Sequence, residues 1–311
     1  MGDVNTTANY EFRNNVELQL QQTKSVLWDL CEEQDCAGAE MVSVKDLVGS
    51  AMPQEADERY GDLKQTSPSH DRVWMSKPNE LYFNEFVDGD DELATRIGLT
   101  GTYTMAAMAT MNRAWDSQIL AGMYAPMVMG KAEKSLTTVA FPMANVIPVT
   151  TGGASGAQRM NLAKVRAAKV ALGKAFNDPS DPRYMALSEV QRDDLLSEVQ
   201  ATDGDYSKAF GVKTDGEGNM TGLLGFTIVP IELRNPDLLA FQKGLTVTAQ
   251  GYTRNLVWTR SGVRKGIWNK LRTHVKDQPQ KVDVRSVFAG TRVTATRTQA
   301  NKVFIIENSE A

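Results

Sequence analysis

Apolar positions recur at steps of three and four between Thr100 and Tyr124, through Met105, Met108, Met111, Trp115, Ile119 and Met123. That spacing predicts one long helix with a single apolar stripe turned toward a core. Thr100 reads as its N-cap, and Gly122 and Pro126 punctuate its far end. At about 1.5 Å per residue the rod is about 36 Å long, more than one small domain requires. Its methionines read as flexible filling of a core rather than as a cofactor box.

Ahead of it, Phe12, Val16, Leu20, Thr23, Leu27 and Leu30 mark one face of an amphipathic helix from Tyr10 to Leu30, and Asn, Gln and Glu occupy the opposite face. Such a helix is an arm that needs a surface to lie against. Glu40–Val48 and Val73–Phe86 show partial alternation with β-branched and aromatic residues and read as the two strands of a hairpin, with Pro78 keeping the second near an edge. Between them Gly49–Arg72 is charged and aperiodic, with Pro53, Gly61 and Pro68. A loop of that length fits a hairpin projecting from the body better than a disordered linker. Its acidic residues Glu55, Asp57, Glu58 and Asp62 would then meet a neighbouring molecule. Asp88-Gly89-Asp90-Asp91 supplies a turn and an acidic start for a short helix, Glu92–Ile97.

After the long helix, Leu136–Val149 is strand-like but broken by two prolines, and the Gly-rich Thr150–Ala157 reads as a hinge. No G-x-x-x-x-G-K-[ST] or G-x-G-x-x-G accompanies that glycine run, which argues against a phosphate cradle. Gln158–Phe176 is a second amphipathic helix, with Leu162, Val165, Ala168 or Lys169, Leu172 and Phe176 on one side and Lys or Arg on the other. Asn177-Asp178-Pro179 stops it. A short strand, Arg183–Leu187, leads to Ser188…Gln191, the capping-box spacing for a helix through Gln200. Gly204–Asn219 is a polar loop, Leu223–Leu233 a strong strand, and Asn235-Pro236 opens a brief helix that Gly244 ends. The remainder is mostly strand: Leu245–Val247, Asn255–Thr259, Ile267–Val275, Val282–Val287, Arg292–Thr296 and Val303–Glu307. Helices and strands without regular βαβ repetition indicate an α+β fold.

A chain of 311 residues, 41% apolar and 23% charged, can bury a large core and reads as two lobes. No apolar run has the length of a membrane span, and Met1–Thr6 lacks the basic flank and apolar core of a secretory signal. Those six residues fit the loose myristoylation pattern Gly2-x-x-x-Thr6, a match short enough to read as an ordinary start. Cys31 and Cys36 have no histidine beside them and suggest neither a metal site nor a disulfide framework, which fits a reduced, intracellular place of synthesis. The net charge of −4 conceals a strong asymmetry. Residues 1–100 carry 20 acidic and 8 basic side chains, whereas 241–311 carry 4 acidic and 13 basic. Balances of −12 and +9 in one chain favour pairing between neighbouring copies.

Candidate chemistry is sparse. His70 and His274 are the only histidines, no G-x-S-x-G elbow accompanies them, and the Cys, His and acidic spacings match no metal site. Asp193 and Asp194 point about 100° apart on a helix and cannot share a proton. No catalytic, cofactor-binding or metal-ligating residues are therefore expected, and an enzyme is not indicated. Arg254, Arg260, Arg264, Lys265, Lys270, Arg272 and Lys276, interleaved with Trp258 and Trp268, suit either nucleic acid or a positively charged subunit interface. The acidic segment elsewhere in the chain favours the interface, with Arg254, Arg260, Arg264 and Lys265 as the basic contacts.

The order of these elements resembles the HK97-type major capsid protein of tailed phages, in particular a branch that begins F-x-x-x-V-x-x-x-x-Q-Q-x-x-S-x-L. Phe12, Val16, Gln21, Gln22, Ser25 and Leu27 match that pattern, and Arg113, Asp116 and Ile119 match its R-x-x-D-x-x-I spine helix. Leu162–Phe176 followed by Tyr184–Gln191, Trp258, Ser261–Lys265 and the closing strand Lys302–Glu307 continue the likeness. The resemblance implies an N-arm at 1–38, an extended loop at 39–87 and the spine part of a peripheral domain at 88–135. It further implies an axial domain at 136–275 and a return to the peripheral domain at 276–311. It implies self-assembly into hexamers and pentamers of an icosahedral head around double-stranded DNA, with portal, scaffold or decoration partners and no membrane. An encapsulin-like protein nanocompartment is the alternative within the same fold, and a basic nucleic-acid-binding module one outside it. No covalent crosslink is expected from Lys45, Lys64 or Lys77.

Overall fold

The computed structural model describes residues 22–49, 53, 65–88, 99–132, 135–153, 156–200, 211–234, 245–278 and 284–310. The strands of the first half are β1 (Glu32–Asp35), β2 (Met41–Val48), β3 (His70–Ser76), β4 (Leu81–Asp88), β5 (Met127–Met129), β6 (Thr137–Val139) and β7 (Val146–Ile147). Helices α1 (Leu99–Tyr124), α2 (Leu162–Lys174) and α3 (Glu189–Gln200) are joined by β8 (Arg183–Leu187), which lies between the last two. Then come β9 (Lys213–Thr214), β10 (Met220–Leu223), β11 (Phe226–Pro230), β12 (Thr253–Thr259), β13 (Val263–Asp277), β14 (Val284–Arg297) and β15 (Val303–Asn308). The chain divides into two compact units, one holding the described residues of 1–25, 79–114 and 269–292, the other those of 26–78, 115–268 and 293–311.

In the larger unit a seven-stranded sheet runs in the order β7-β15-β12-β8-β11-β10-β9. Strand β12 lies antiparallel to both β15 and β8, and β8 runs parallel to β11. Val165, Ala168 and Leu172 of α2 join Met185, Phe226, Val257 and Phe304 of the sheet in one core. Asn161 caps α2 by accepting the Lys164 N–H at 2.9 Å. Ser188 and Gln191 form the expected capping box at the start of α3, with Ser188 N–H to Gln191 Oε1 at 3.2 Å and Gln191 N–H to Ser188 Oγ at 3.4 Å. A four-stranded antiparallel sheet, β2-β3-β5-β6, closes over Cys36, Val44, Val73 and Met75.

In the smaller unit β4 pairs antiparallel with β14 over eight positions, from Val284 opposite Asp88 to Thr291 opposite Leu81. One face of this ladder, through Phe83 and Ala289, packs together with Leu271 of β13 against Ala107 and Met111 of α1.

Several expectations change. The stretch read as one strand, Val73–Phe86, is two: Pro78 falls between β3 and β4, and the pieces pair with different partners, β2 and β14. Strand Leu223–Leu233 is instead the hairpin β10–β11, whose turn places Leu224 at φ 54° and Gly225 at φ 87°. The separate strands Val282–Val287 and Arg292–Thr296 are one, β14. Thr100 lies inside α1 rather than capping it. Met105 is 54% exposed and Met108 only half-buried, so the α1 core is carried by Ala107, Met111, Trp115, Ile119 and Met123. Gly122 belongs to the helix, where a Cβ would stand 2.2 Å from the Ala295 carbonyl oxygen. The helix expected from Tyr10 to Leu30 is not found in its described part, where 22–27 are irregular and Trp28–Leu30 is a 3₁₀ turn; its residues before Gln22, the short helix at 92–97 and the helix expected after Asn235 lie outside the described residues.

Candidate functional site

The arm expected to need a surface ends in a built one. Residues 22–27 reach α1, where three of its polar side chains take their backbone groups as partners. Arg113 Nη1 donates to Gln22 O at 3.2 Å, and Asn112 Nδ2 to Thr23 O at 2.7 Å. One turn further, the fully buried Asp116 accepts the backbone N–H groups of Val26 at 2.9 Å and Leu27 at 3.0 Å. A carboxylate holding two amides away from water is a strong, directional clamp. Arg113 and Asp116, singled out by the spine-helix pattern, are thus the residues that fix the arm's root.

Around the clamp, Trp28 and Trp115 pack at 4.6 Å between ring centroids with their planes tilted 42°. Lys265 Nζ sits 4.0 Å from the centroid of the Trp28 ring, donates to Trp28 O and pairs with Glu33 at 3.3 Å. Burial lowers the Lys265 pKa, and Glu33 opposes that shift. The same burial pushes the Cys31 thiol up to about 12, against the pull of Lys265, so this cysteine is an unreactive core residue.

The basic residues expected at a subunit interface are therefore not equivalent. Lys265 is only 2% exposed and held within its own chain. Arg264 is held by Glu32 and by Val44 O at 2.8 Å. Arg254 donates to Leu245 O at 3.3 Å, lies 5.5 Å from the Tyr124 ring centroid, and its carbonyl accepts the Tyr124 hydroxyl. Arg260 is exposed. Along the outer end of β13, Lys270, Arg272 and Lys276 are exposed too, at alternate positions on one strand face. His274 shares that face and stacks on Phe288 at 4.6 Å, with the Arg272 guanidinium 5.3 Å from the same ring. The acidic group Glu55, Asp57, Glu58 and Asp62 lies outside the described residues.

A second polar centre gave no sign in the sequence. Lys164, read as part of a solvated helix face, is fully buried. Its ammonium donates to Gln158 O at 2.8 Å, Glu307 O at 2.9 Å and Asn308 Oδ1 at 3.0 Å. Burial lowers its pKa to about 8, with Glu307 opposing. Asn308 in turn donates to Asn255 at 2.7 Å, Gln191 bridges Asn255 and Glu310, and Glu310 pairs with Arg234 at 2.8 Å. This network ties the last strand to α2, α3 and β12, a structural role. Among the described residues no group of His, Cys, Asp and Glu is placed to hold a metal, and no helix is long and apolar enough to cross a membrane.

A family model described as phage capsid protein matches residues 4–310. Among solved structures, the capsid of cyanophage P-SCSP1u is similar at 11% identity and TM-score 0.67, covering 96% of this chain and 92% of that one. The mature capsid of bacteriophage PhiM1 is similar at 13% identity and TM-score 0.67, with 96% and 91% covered. The cyanophage Pam1 capsid matches over 100% of both chains at 11% identity and TM-score 0.66. No curated protein matches significantly. At these identities the structural likeness shows the fold, which is HK97-like.

Proposed function

This chain belongs to the phage capsid protein family, and from that premise we propose that it is the major capsid protein of a tailed phage, self-assembling into the shell of the head. The observation that carries the reading is a family match along 4–310 joined to an HK97-like α+β fold over the same length. We infer further that the shell is an icosahedral array of hexamers and pentamers enclosing double-stranded DNA, with portal, scaffold or decoration proteins as partners. In that array residues 1–38 serve as an N-arm, 39–87 as an extended loop, 88–135 and 276–311 as a peripheral domain, and 136–275 as an axial domain. A shell protein does no bond chemistry; its task is to bury shared surface on copies of itself.

The chain's charge asymmetry supports pairing of the acidic group Glu55, Asp57, Glu58 and Asp62 with basic residues of a neighbouring copy. Because Lys265 is occupied within its own subunit, the exposed cations Arg260, Arg272 and Lys276 are the better counterparts. Reversing the four acids to lysine should raise the concentration needed for assembly at low salt without unfolding the subunit. Assembly indifferent to that reversal would refute the pairing. The broader reading is tested by electron microscopy of particles recovered from cells expressing the phage genes: DNA-filled shells are expected. Shells packed with cargo protein would indicate a nanocompartment instead.

A further inference from the structure

The two most exposed large apolar side chains among the described residues flank one short turn. Phe176 is 97% exposed and Met143 81%. The residue after Phe176 is Asn177, whose amide donates to Asn301 O at 2.9 Å and to Leu172 O at 3.1 Å. Two residues after Met143 comes Asn145, whose amide donates to Ala300 O and to Val303 O at 3.4 Å. The shared acceptor is the 3₁₀ turn Ala300–Lys302. Both asparagines are buried, so each apolar side chain projects from a backbone fixed a residue or two away.

Phe176 also has φ 53°, a left-handed conformation that a bulky residue rarely adopts and that glycine takes freely. It follows the last turn of α2, where its own N–H donates to Gly173 O at 3.1 Å. Glycine is the ordinary residue for such a helix end. Here the position holds instead an aromatic ring that touches little of its own subunit, at a cost in backbone strain. Strained backbone of this kind clusters at functional positions.

We propose that Phe176 is an anchor, carried on a fixed backbone, that inserts into a second copy of this chain in the assembled shell. The proposal rests on the capsid reading above, which surrounds every subunit with identical copies. A phenylalanine buries about 150–250 Å², roughly a quarter of the about 800 Å² that each partner contributes to a standard interface. Rigid, fully desolvated aromatics near an interface centre carry a disproportionate share of its energy. Fixing the backbone that carries the ring beforehand also lowers the ordering cost of association.

The test compares wild type, Phe176→Gly and Phe176→Tyr in thermal unfolding of the subunit and in assembly followed by light scattering and electron microscopy. A residue that served its own subunit would lower stability when removed. The proposal expects the opposite separation: Phe176→Gly melts at the wild-type temperature or up to about 3 °C higher, because φ is relaxed. Its yield of shells nevertheless falls at least about tenfold, whereas Phe176→Tyr still assembles. A photo-crosslinking benzophenone side chain at 176 should join two copies of this chain within shells. Shells from Phe176→Gly at wild-type yield, a loss of subunit stability in that variant, or crosslinks only to a different protein would each overturn the proposal. If wild type itself never assembles, the capsid reading fails and this inference with it. If wild type and Phe176→Gly assemble alike, only this inference fails.

Discussion

Leu27 gives its backbone N–H to the Asp116 carboxylate at 3.0 Å, across 89 positions of sequence, and both residues are fully buried. The second carboxylate oxygen takes the Val26 N–H at 2.9 Å. One side chain of α1 therefore fixes the backbone at Val26 and Leu27.

Asp116→Ala removes both acceptors and leaves two amides short of a partner. Hydrogen bonds to a charged group contribute about 1.5–3 kcal/mol each, so a loss of about 3 kcal/mol is expected in urea denaturation. Limited proteolysis should cut the variant near residues 22–30 faster than wild type. A loss below about 1 kcal/mol with unchanged cleavage would show that the clamp does not hold the arm.

Trp115→Ala empties the space against Trp28, with which it packs at 4.6 Å. Truncating a buried tryptophan costs about 3–5 kcal/mol. The variant should yield aggregates or soluble protein defective in assembly. Shells of normal yield and heat stability would contradict this.

Gly122→Ala should be as severe as a cavity mutation although it adds a single methyl group. The new Cβ would lie 2.2 Å from the Ala295 oxygen and 2.4 Å from its carbonyl carbon, both backbone atoms of β14 that no rotamer change can move. Overpacking costs about 1–3 kcal/mol or more, outweighing the helix propensity gained over glycine. A variant as stable as wild type in thermal unfolding would rule out this close approach.

Lys164 predicts a pH dependence with a definite sign. Its folded pKa is lowered from 10.5 to about 8, chiefly by burial. Between those values the unfolded chain binds more protons than the folded one, so the contribution of Lys164 to stability rises with pH over that window. Below about pH 8 the ammonium is buried in full and its desolvation opposes folding. The slope of unfolding free energy against pH between 8 and 10.5 should be less positive in Lys164→Met than in wild type. Identical slopes would refute the assignment.

The sequence reveals element positions better than element surroundings. Helix α1 is legible within a residue because its apolar period persists for about five turns, yet its stripe misplaces Met105. Small residues such as Ala107, Ala109 and Ala114 are buried where close approach rather than side-chain size decides the packing. The Ser188–Gln191 box is legible because both partners of its hydrogen bonds are local. Lys164 is not, because its acceptors at 307 and 308 are remote and a lysine on a helix normally marks a solvated face. Phe176 fits the apolar period of α2 but falls two residues beyond Lys174, where the helix has ended and the period no longer sets its direction. The β10–β11 turn at Leu224-Gly225 hides because leucine is a poor signal for a positive φ. At the assembly surfaces, the excess of positive charge is legible in composition. The division between cations held internally, such as Lys265, and exposed ones, such as Arg260, depends on tertiary partners.

Sedimentation velocity of the purified chain across a range of concentrations separates a shell subunit from a free-standing protein. Subunits are expected to convert, above a threshold concentration, into large particles of many copies, with little material between. A chain that sediments as a compact monomer at every concentration, with or without the phage's other head proteins, would contradict the capsid reading.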